Sequence, residues 1–315
     1  MNIAQRRYDI LSDFHSVYHF LEETYDFDTL NSYLLPHYWE YAHYLQWFDY
    51  IRAHRMGLWE DDGKIVGVAA YEMNIGVAHL HTSPGYRNML PELLDWAEKE
   101  LTVVKDGKQS LGIWTASKEI AKQKILDEHG YQLVHSEPVK IFRYENPFVE
   151  RQLPDGYSLI CGVGIDYAKL AECFWHGFDH NEVPPDTNVD GNVKVWNAPH
   201  ADKSLMTIVV APDGEYACAL GMWVDYRNKY AYLEPLATVP KHRRLGLATI
   251  ALTEAMKKTK ALGAEYCFGG GREFYTAIGF EHICNREIWE KVTPIVNYPD
   301  LALTLSNHYP HHSCC

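Results

Sequence analysis

Apolar residues along this chain follow two periods, and the places where one gives way to the other mark the elements. Alternation with β-branched and aromatic residues predicts strands at Tyr157–Cys161, 205–210, 216–225, 230–239 and near 265–268, with further strands running through 291. A 3.6-residue period predicts helices at 166–178 and 247–262 and shorter ones near 191–197 and 272–278. In the first half, Leu90, Leu93, Leu94, Ala97 and Leu101 recur at helical spacing and predict a helix over 89–103. The first 50 residues, dense in Tyr, Trp and His, read as helices. Residues 294–315 carry no strong pattern.

The pattern is written twice. Asp62-Gly63 precedes an apolar run as Asp213-Gly214 does, each pair a hairpin-turn signal. Pro84-Gly85-Tyr86-Arg87 corresponds to Pro240-Lys241-His242-Arg243, and Gly130-Tyr131 to Gly279-Phe280. Three anchors in one order imply two copies of one fold. The boundary falls in the polar stretch from Glu145 to Gly156, which holds two prolines. The expected organisation is therefore 1–147, 150–293 and a tail, 294–315. A chain of 315 residues suits two domains.

Composition narrows the function. With 47% hydrophobic residues the chain can build packed cores, and a net charge of −13 disfavours nucleic acid or an anionic membrane as partner. That charge is compatible with a cationic acceptor such as an amine. Seven cysteines without a C-x-x-C pair imply reduced thiols and a cytoplasmic setting. A monomer or homodimer is expected. No signal-peptide core and no run of about 18 apolar residues is present. His308, His311, His312, Cys314 and Cys315 are metal-ligating types, but no spacing frames them, and no metal site is expected.

The chemistry concentrates between the strand ending near 239 and the helix starting at Leu247. A short basic loop with a glycine before a helix N-terminus holds phosphate, because unpaired N–H groups and the helix dipole face the anion. The loop Arg243-x-x-Gly246-x-Ala248, followed about thirty residues later by Phe274-Tyr275-x-x-x-Gly279-Phe280, resembles the GNAT superfamily of N-acetyltransferases. The resemblance implies an α/β fold of two tandem GNAT-like domains, each a mixed, splayed sheet flanked by helices. It implies acetyl-CoA as co-substrate, with Arg243, Arg244, Leu245, Gly246, Leu247, Ala248 and Thr249 around the diphosphate. Main-chain N–H groups of Leu236, Thr238 and Val239 are expected at the thioester carbonyl, since Pro235 and Pro240 have none to give. Glu234 is the expected base for the amine and Tyr275 the expected acid for the departing thiolate.

The first half departs from this pattern. Leu90 stands for Gly246, Glu92 for Ala248, Leu126 for Tyr275 and Ala78 for Glu234, so 1–147 reads as a degenerate copy without a cofactor site. Asp179, Glu182 and Asp186 are either an attractor for a cationic substrate or a solvated cluster. The expected activity is transfer of acetyl to a primary amine of a small molecule or peptide. The alternative is an acyl-CoA-binding regulatory pseudoenzyme without transfer.

Overall fold

The computed structural model describes residues 2–105 and 107–294. In chain order the elements are β1 (Ile3–Arg7), α1 (Ile10–Glu23), α2 (Pro36–Tyr44), β2 (Gly57–Asp61), β3 (Lys64–Tyr71), β4 (Val77–Thr82), α3 (Leu90–Glu100), β5 (Val103–Lys105), β6 (Lys108–Ala116), α4 (Ile120–Glu128) and β7 (Gln132–Arg143). The second half adds β8 (Ser158–Cys161), α5 (Tyr167–Gly177), α6 (Asp186–Val195), β9 (Thr207–Val210), β10 (Tyr216–Asp225), β11 (Tyr230–Thr238), α7 (Leu247–Ala261), β12 (Tyr266–Gly269), α8 (Glu273–Ala277) and β13 (Glu281–Pro294). Both are mixed α/β arrangements with a splayed sheet.

Among the described residues the chain forms two compact units, 2–43, 47–137 and 284–294 in unit 1, and 44–46 and 138–283 in unit 2. The units do not follow the sequence halves expected to divide at 147–150. Unit 1 is closed by β13, which pairs antiparallel with β6 from Arg286 opposite Ala116 to Pro294 opposite Lys108. Unit 2 is closed by β7, whose Lys140–Arg143 stretch pairs antiparallel with β12. Each unit thus takes a strand from the other half of the chain. Without it, β6 and β12 would each present an unpaired edge, which exposes backbone polar groups.

The order of strands is otherwise the same. Unit 1 runs β1-β2-β3-β4-β6 and unit 2 runs β8-β9-β10-β11-β12, antiparallel except for the parallel pairs β4·β6 and β11·β12. Those parallel pairs are short. β4 and β6 stay together only from Val77 to His79, and β11 and β12 only from Tyr230 to Tyr232. Beyond those points the strands part, which opens a splay in each unit. The sequence-based strands at 216–225 and 230–239 and the helix at 247–262 lie within a residue of β10, β11 and α7. The short helix begins earlier than expected, at Asp186 rather than 191. The N-terminal segment is not all helix, because Ile3–Arg7 forms an edge strand on β2. Its polar, half-exposed sequence gives no alternation to read.

Core packing explains the helices. In unit 2, Leu247, Ala251, Leu252, Ala255 and Met256 of α7 join Val209, Leu220, Met222 and Leu233 in one buried cluster. In unit 1, Leu93, Leu94 and Ala97 of α3 are buried at helical spacing. Unit 1 also buries four histidines, and three of them, His43, His79 and His81, bear on its response to pH. His43 donates from Nδ1 to the Trp39 carbonyl, and His79 from Nδ1 to the Ser32 carbonyl. His81 donates from Nε2 to Thr24 Oγ1, whose own hydrogen goes to the Phe20 carbonyl. Burial pushes all three from 6.5 down to about 3. Below pH 6.5 the unfolded chain binds protons that the folded chain refuses, so stability falls as the pH drops from about 6.5 towards 3. At about 1.4 kcal/mol per pH unit, each histidine costs about 2 kcal/mol by pH 5. Hydrogen exchange at pH 7.5 and pH 5 should show amides of α1, α2 and β4 losing protection first. Equal loss in β10 and β11 would contradict that account.

Candidate active site

Unit 2 carries the expected residues at one end of its sheet, where β11 has left β12. The antiparallel register of β10 and β11 slips here. Leu220 pairs with Leu236 and Met222 with Leu233, so Gly221 alone faces Glu234 and Pro235. Such a bulge bends the strand and re-aims a side chain. Gly221 is required by what lies over it. A Cβ there would stand 1.9 Å from Trp196 Cη2 and 2.7 Å from the Glu234 carbonyl oxygen. Trp223 Nε1 donates to that same oxygen at 3.0 Å and stacks on Trp196 with ring centres 5.7 Å apart. The backbone of Glu234 is therefore held by Trp223, itself stacked on Trp196, and its side chain is largely buried.

The oxyanion expectation is corrected at one position. Val239 N–H donates to the Ala217 carbonyl at 3.0 Å and so faces β10. Strand alternation then turns the N–H groups of Leu236 and Thr238 away from β10, towards the side vacated by β12. Tyr275 lies on α8, at the same end of the sheet, just beyond β12. Its ring is buried against Phe280, with centroids 5.2 Å apart, and Gly269 leaves it room, since a Cβ there would be 2.7 Å from Tyr275 Cδ1.

At the start of α7, Gly246 is the N-cap residue with φ +80°, a conformation that favours glycine. The first hydrogen bond of the helix is Ile250 N–H to the Gly246 carbonyl. Among the described residues, the backbone N–H groups of Arg244, Leu245, Gly246, Leu247, Ala248 and Thr249 have no acceptor, and no side chain caps the helix. Six free donors at a helix N-terminus form an anion cradle.

The cations beside this cradle are only in part those the sequence pointed to. Arg243 is engaged elsewhere: Nε donates to the Thr238 carbonyl, and its terminal nitrogen to the Gly177 carbonyl at 2.9 Å and to Asp179 at 2.7 Å. It ties the end of α5 to the loop and is not a free phosphate ligand. Asp179, one of the acidic trio considered as a substrate attractor, has its carboxylate in that pair. Lys241 pairs with Glu215, and His242 bridges Glu215 and Tyr157. That leaves Arg244, exposed, and a residue the sequence reading missed. Arg151 lies over Gly246, where a Cβ would be 3.1 Å from Arg151 Cδ. Arg151 is exposed and makes no ion pair among the described residues. Its segment resembled a linker but is bound to α7, with Thr253 Oγ1 donating to the Val149 carbonyl and Lys257 paired with Glu150.

Unit 1 has no such cradle at the matching corner. Residues Pro84–Met89 wind into a 3₁₀ turn, Leu90 N–H donates to the Arg87 carbonyl, and Pro91 has no N–H. Glu92 was expected to stand in the diphosphate position. Instead its carboxylate accepts a hydrogen bond from Trp59 Nε1 at 2.7 Å. The difference between the units lies in the backbone donors.

The model of the acetyltransferase (GNAT) family matches residues 168–280, which contain β10, β11, the cradle and α8. Residues 168–280 of this chain carry a GNAT domain. Among solved structures, a tandem GNAT protein from the clavulanic acid biosynthesis pathway aligns with TM-score 0.64 at 11% identity, covering 94% of this chain and 100% of that one. A GCN5-related N-acetyltransferase from Sphaerobacter thermophilus gives 0.60 at 14%, covering 94% and 98%. The N-myristoyltransferase of Saccharomyces cerevisiae, solved with myristoyl-CoA, gives 0.55 at 10%, covering 93% and 80%. At these identities the likeness is one of fold. No curated protein matches the chain. The GNAT match lies wholly in the half with the free donors. Among the described residues no group of His, Cys, Asp and Glu could hold a metal ion, and no helix is long and apolar enough to cross a membrane. The His and Cys residues of the tail lie outside the described residues.

Proposed function

We propose that this GNAT protein is an acetyl-CoA-dependent N-acetyltransferase that works in unit 2. It would move acetyl to a primary amine of a small molecule or peptide by direct attack on the thioester. The observation that carries this reading is the run of six acceptor-free N–H groups from Arg244 to Thr249, beside a bulged strand bearing a buried glutamate. A diphosphate fits those donors, and Arg244 and Arg151 supply the cationic charge that Arg243 does not. Acetyl-CoA contributes the activated acyl group. Leu236 and Thr238 present N–H groups to its carbonyl oxygen, where negative charge grows during attack. Glu234 takes the proton from the ammonium group, directly or through a water, and Tyr275 protonates the leaving sulfur.

The full-length chain, assayed with acetyl-CoA against amines, polyamines, aminoglycosides and peptide N-termini, should release free CoA thiol with at least one class. Calorimetry should give one acetyl-CoA per chain, because only unit 2 has the cradle. Tight CoA binding with no turnover on any class would instead support a regulatory, non-transferring protein. A stoichiometry near two would overturn the assignment of the site to unit 2. Longer acyl-CoAs in the same titration would report the acyl length accepted.

A further inference from the structure

Arg243 makes contacts in unit 2 that its counterpart in unit 1 does not. Nε donates to the Thr238 carbonyl at 3.0 Å, at the end of β11. A terminal nitrogen donates to the Gly177 carbonyl at 2.9 Å, at the end of α5, and meets the Asp179 carboxylate at 2.7 Å. The repeat supplies a control. Arg87 stands for Arg243, and Asp26 follows α1 as Asp179 follows α5. Arg87 pairs with Asp26 at 3.4 Å, but among the described residues its guanidinium donates to no main-chain carbonyl. The ion pair is common to both units. The two carbonyl contacts occur only in the unit with the free N–H groups.

The shared contact is also the weaker one. The Arg243 and Asp179 side chains are 39% and 65% exposed, and an ion pair so open to water contributes little. The Gly177 carbonyl, by contrast, lies in the last turn of α5, where carbonyls find no N–H within the helix. A guanidinium there satisfies the helix end and offsets the negative pole of its dipole.

That helix end is packed directly on β11. A Cβ on Gly177 would stand 2.6 Å from Ala237 Cβ and 3.2 Å from the Thr238 nitrogen. The glycine is what allows the approach. Thr238 is one of the residues whose N–H turns away from β10, towards the splay. The end of α5 thus sets its negative pole beside a donor that has to meet growing negative charge. Arg243 acts on both aspects of this contact. It fixes the spacing by bonding a carbonyl on each side, and it offsets the pole.

We propose that Arg243 is a positioning residue that clamps the end of α5 to the end of β11 and so sets the place and surroundings of the Thr238 N–H. It acts through Thr238 and touches neither the diphosphate nor the acyl group. Its effect on rate rests on the reading of unit 2 as an acetyltransferase, whereas the clamp itself does not. Because the six cradle donors are left as they are, loss of Arg243 lowers kcat and spares acyl-CoA affinity. A phosphate ligand would do the reverse.

The test compares full-length wild type, Arg243→Ala and Asp179→Asn. Acetyl-CoA affinity is read by calorimetry, amide exchange at Phe178 and Ile250 by NMR, and kcat and KM with any amine that the wild type acetylates. In Arg243→Ala, Phe178, whose N–H bonds the Phe174 carbonyl in the last turn of α5, should exchange at least tenfold faster. Ile250, which makes the first bond of α7, and acetyl-CoA affinity should stay within threefold. The kcat should fall at least about tenfold, since a displaced oxyanion donor stabilises the transition state less. Asp179→Asn, which removes only the exposed ion pair, should stay within threefold of wild type in every reading. A tenfold loss of acetyl-CoA affinity in Arg243→Ala overturns the proposal, as does unchanged exchange at Phe178 or a kcat within threefold. Equal losses in Asp179→Asn overturn it too, because the ion pair would then be the contact that matters. A wild type that acetylates no amine defeats the acetyltransferase reading and with it the effect on rate, while the exchange and affinity measurements still decide the clamp.

Discussion

Gly246→Glu should abolish acyl-CoA binding, with at least a hundredfold loss of affinity by calorimetry, while the protein stays folded. Three effects act together. Gly246 sits at φ +80°, where a residue with a Cβ costs about 1–2 kcal/mol. The new carboxylate lies among six free N–H groups and occupies them as an internal anion. It also repels the incoming diphosphate and offers Arg151 a partner, removing a cation from the cradle. Folding should survive because the nearest atom to a Cβ at this position is Cδ of an exposed arginine, 3.1 Å away, which can swing aside. Gly246→Ala separates the contributions. It adds the backbone strain without the charge and should lose about tenfold or less. Affinity within threefold of wild type in the glutamate variant would mean that the anion binds elsewhere.

The second large effect is expected at Glu234. Glu234→Gln keeps shape and hydrogen-bonding length but cannot accept the amine proton, so kcat should fall by about 10²- to 10³-fold. The KM for acyl-CoA should be nearly unchanged, because the cradle lies on α7 and not on the bulge. The rate should also gain less as the pH is raised through the acid limb of the wild-type profile. Retention of kcat within threefold would remove Glu234 from the chemistry. The bulge gives a check on interpretation. Gly221→Ala would push Trp196 and the Glu234 carbonyl apart, from 1.9 Å and 2.7 Å contacts, and shift the same carboxylate without changing its chemistry.

Much of the local structure around the candidate site was legible without coordinates. The strand and helix flanking the loop show clear periods, and the glycine and the small residues after it mark the N-terminus of α7. Glu234 lies on β11, Gly246 caps α7 and Tyr275 lies on α8, as those periods imply. What the sequence misjudged was the partner of each charge. Arg243 looks like a phosphate ligand in the motif, but Gly177 and Asp179, more than sixty residues away, take its guanidinium. Arg151 looks like linker and lies over Gly246. Glu92 looks like an anion in the cofactor position and bonds Trp59. Each depends on which surface folds against which, and local pattern holds no record of that.

The exchange of strands follows the same logic. A strand's own sequence does not name its neighbour, because main-chain hydrogen bonds are the same for any partner in register. Pairing is chosen by side-chain packing and chain closure. The sequence alone therefore determined that this chain holds two copies of one α/β fold and that the glycine-bearing loop before a helix stands in the second copy alone. The tertiary structure alone decided that each copy is completed by the other half of the chain. It also decided that Arg243 turns to Gly177 and Asp179 and that Arg151 lies over Gly246. The physical reason is that elements form from local torsional and burial preferences, whereas partners are selected across long sequence separations by the packing of whole units.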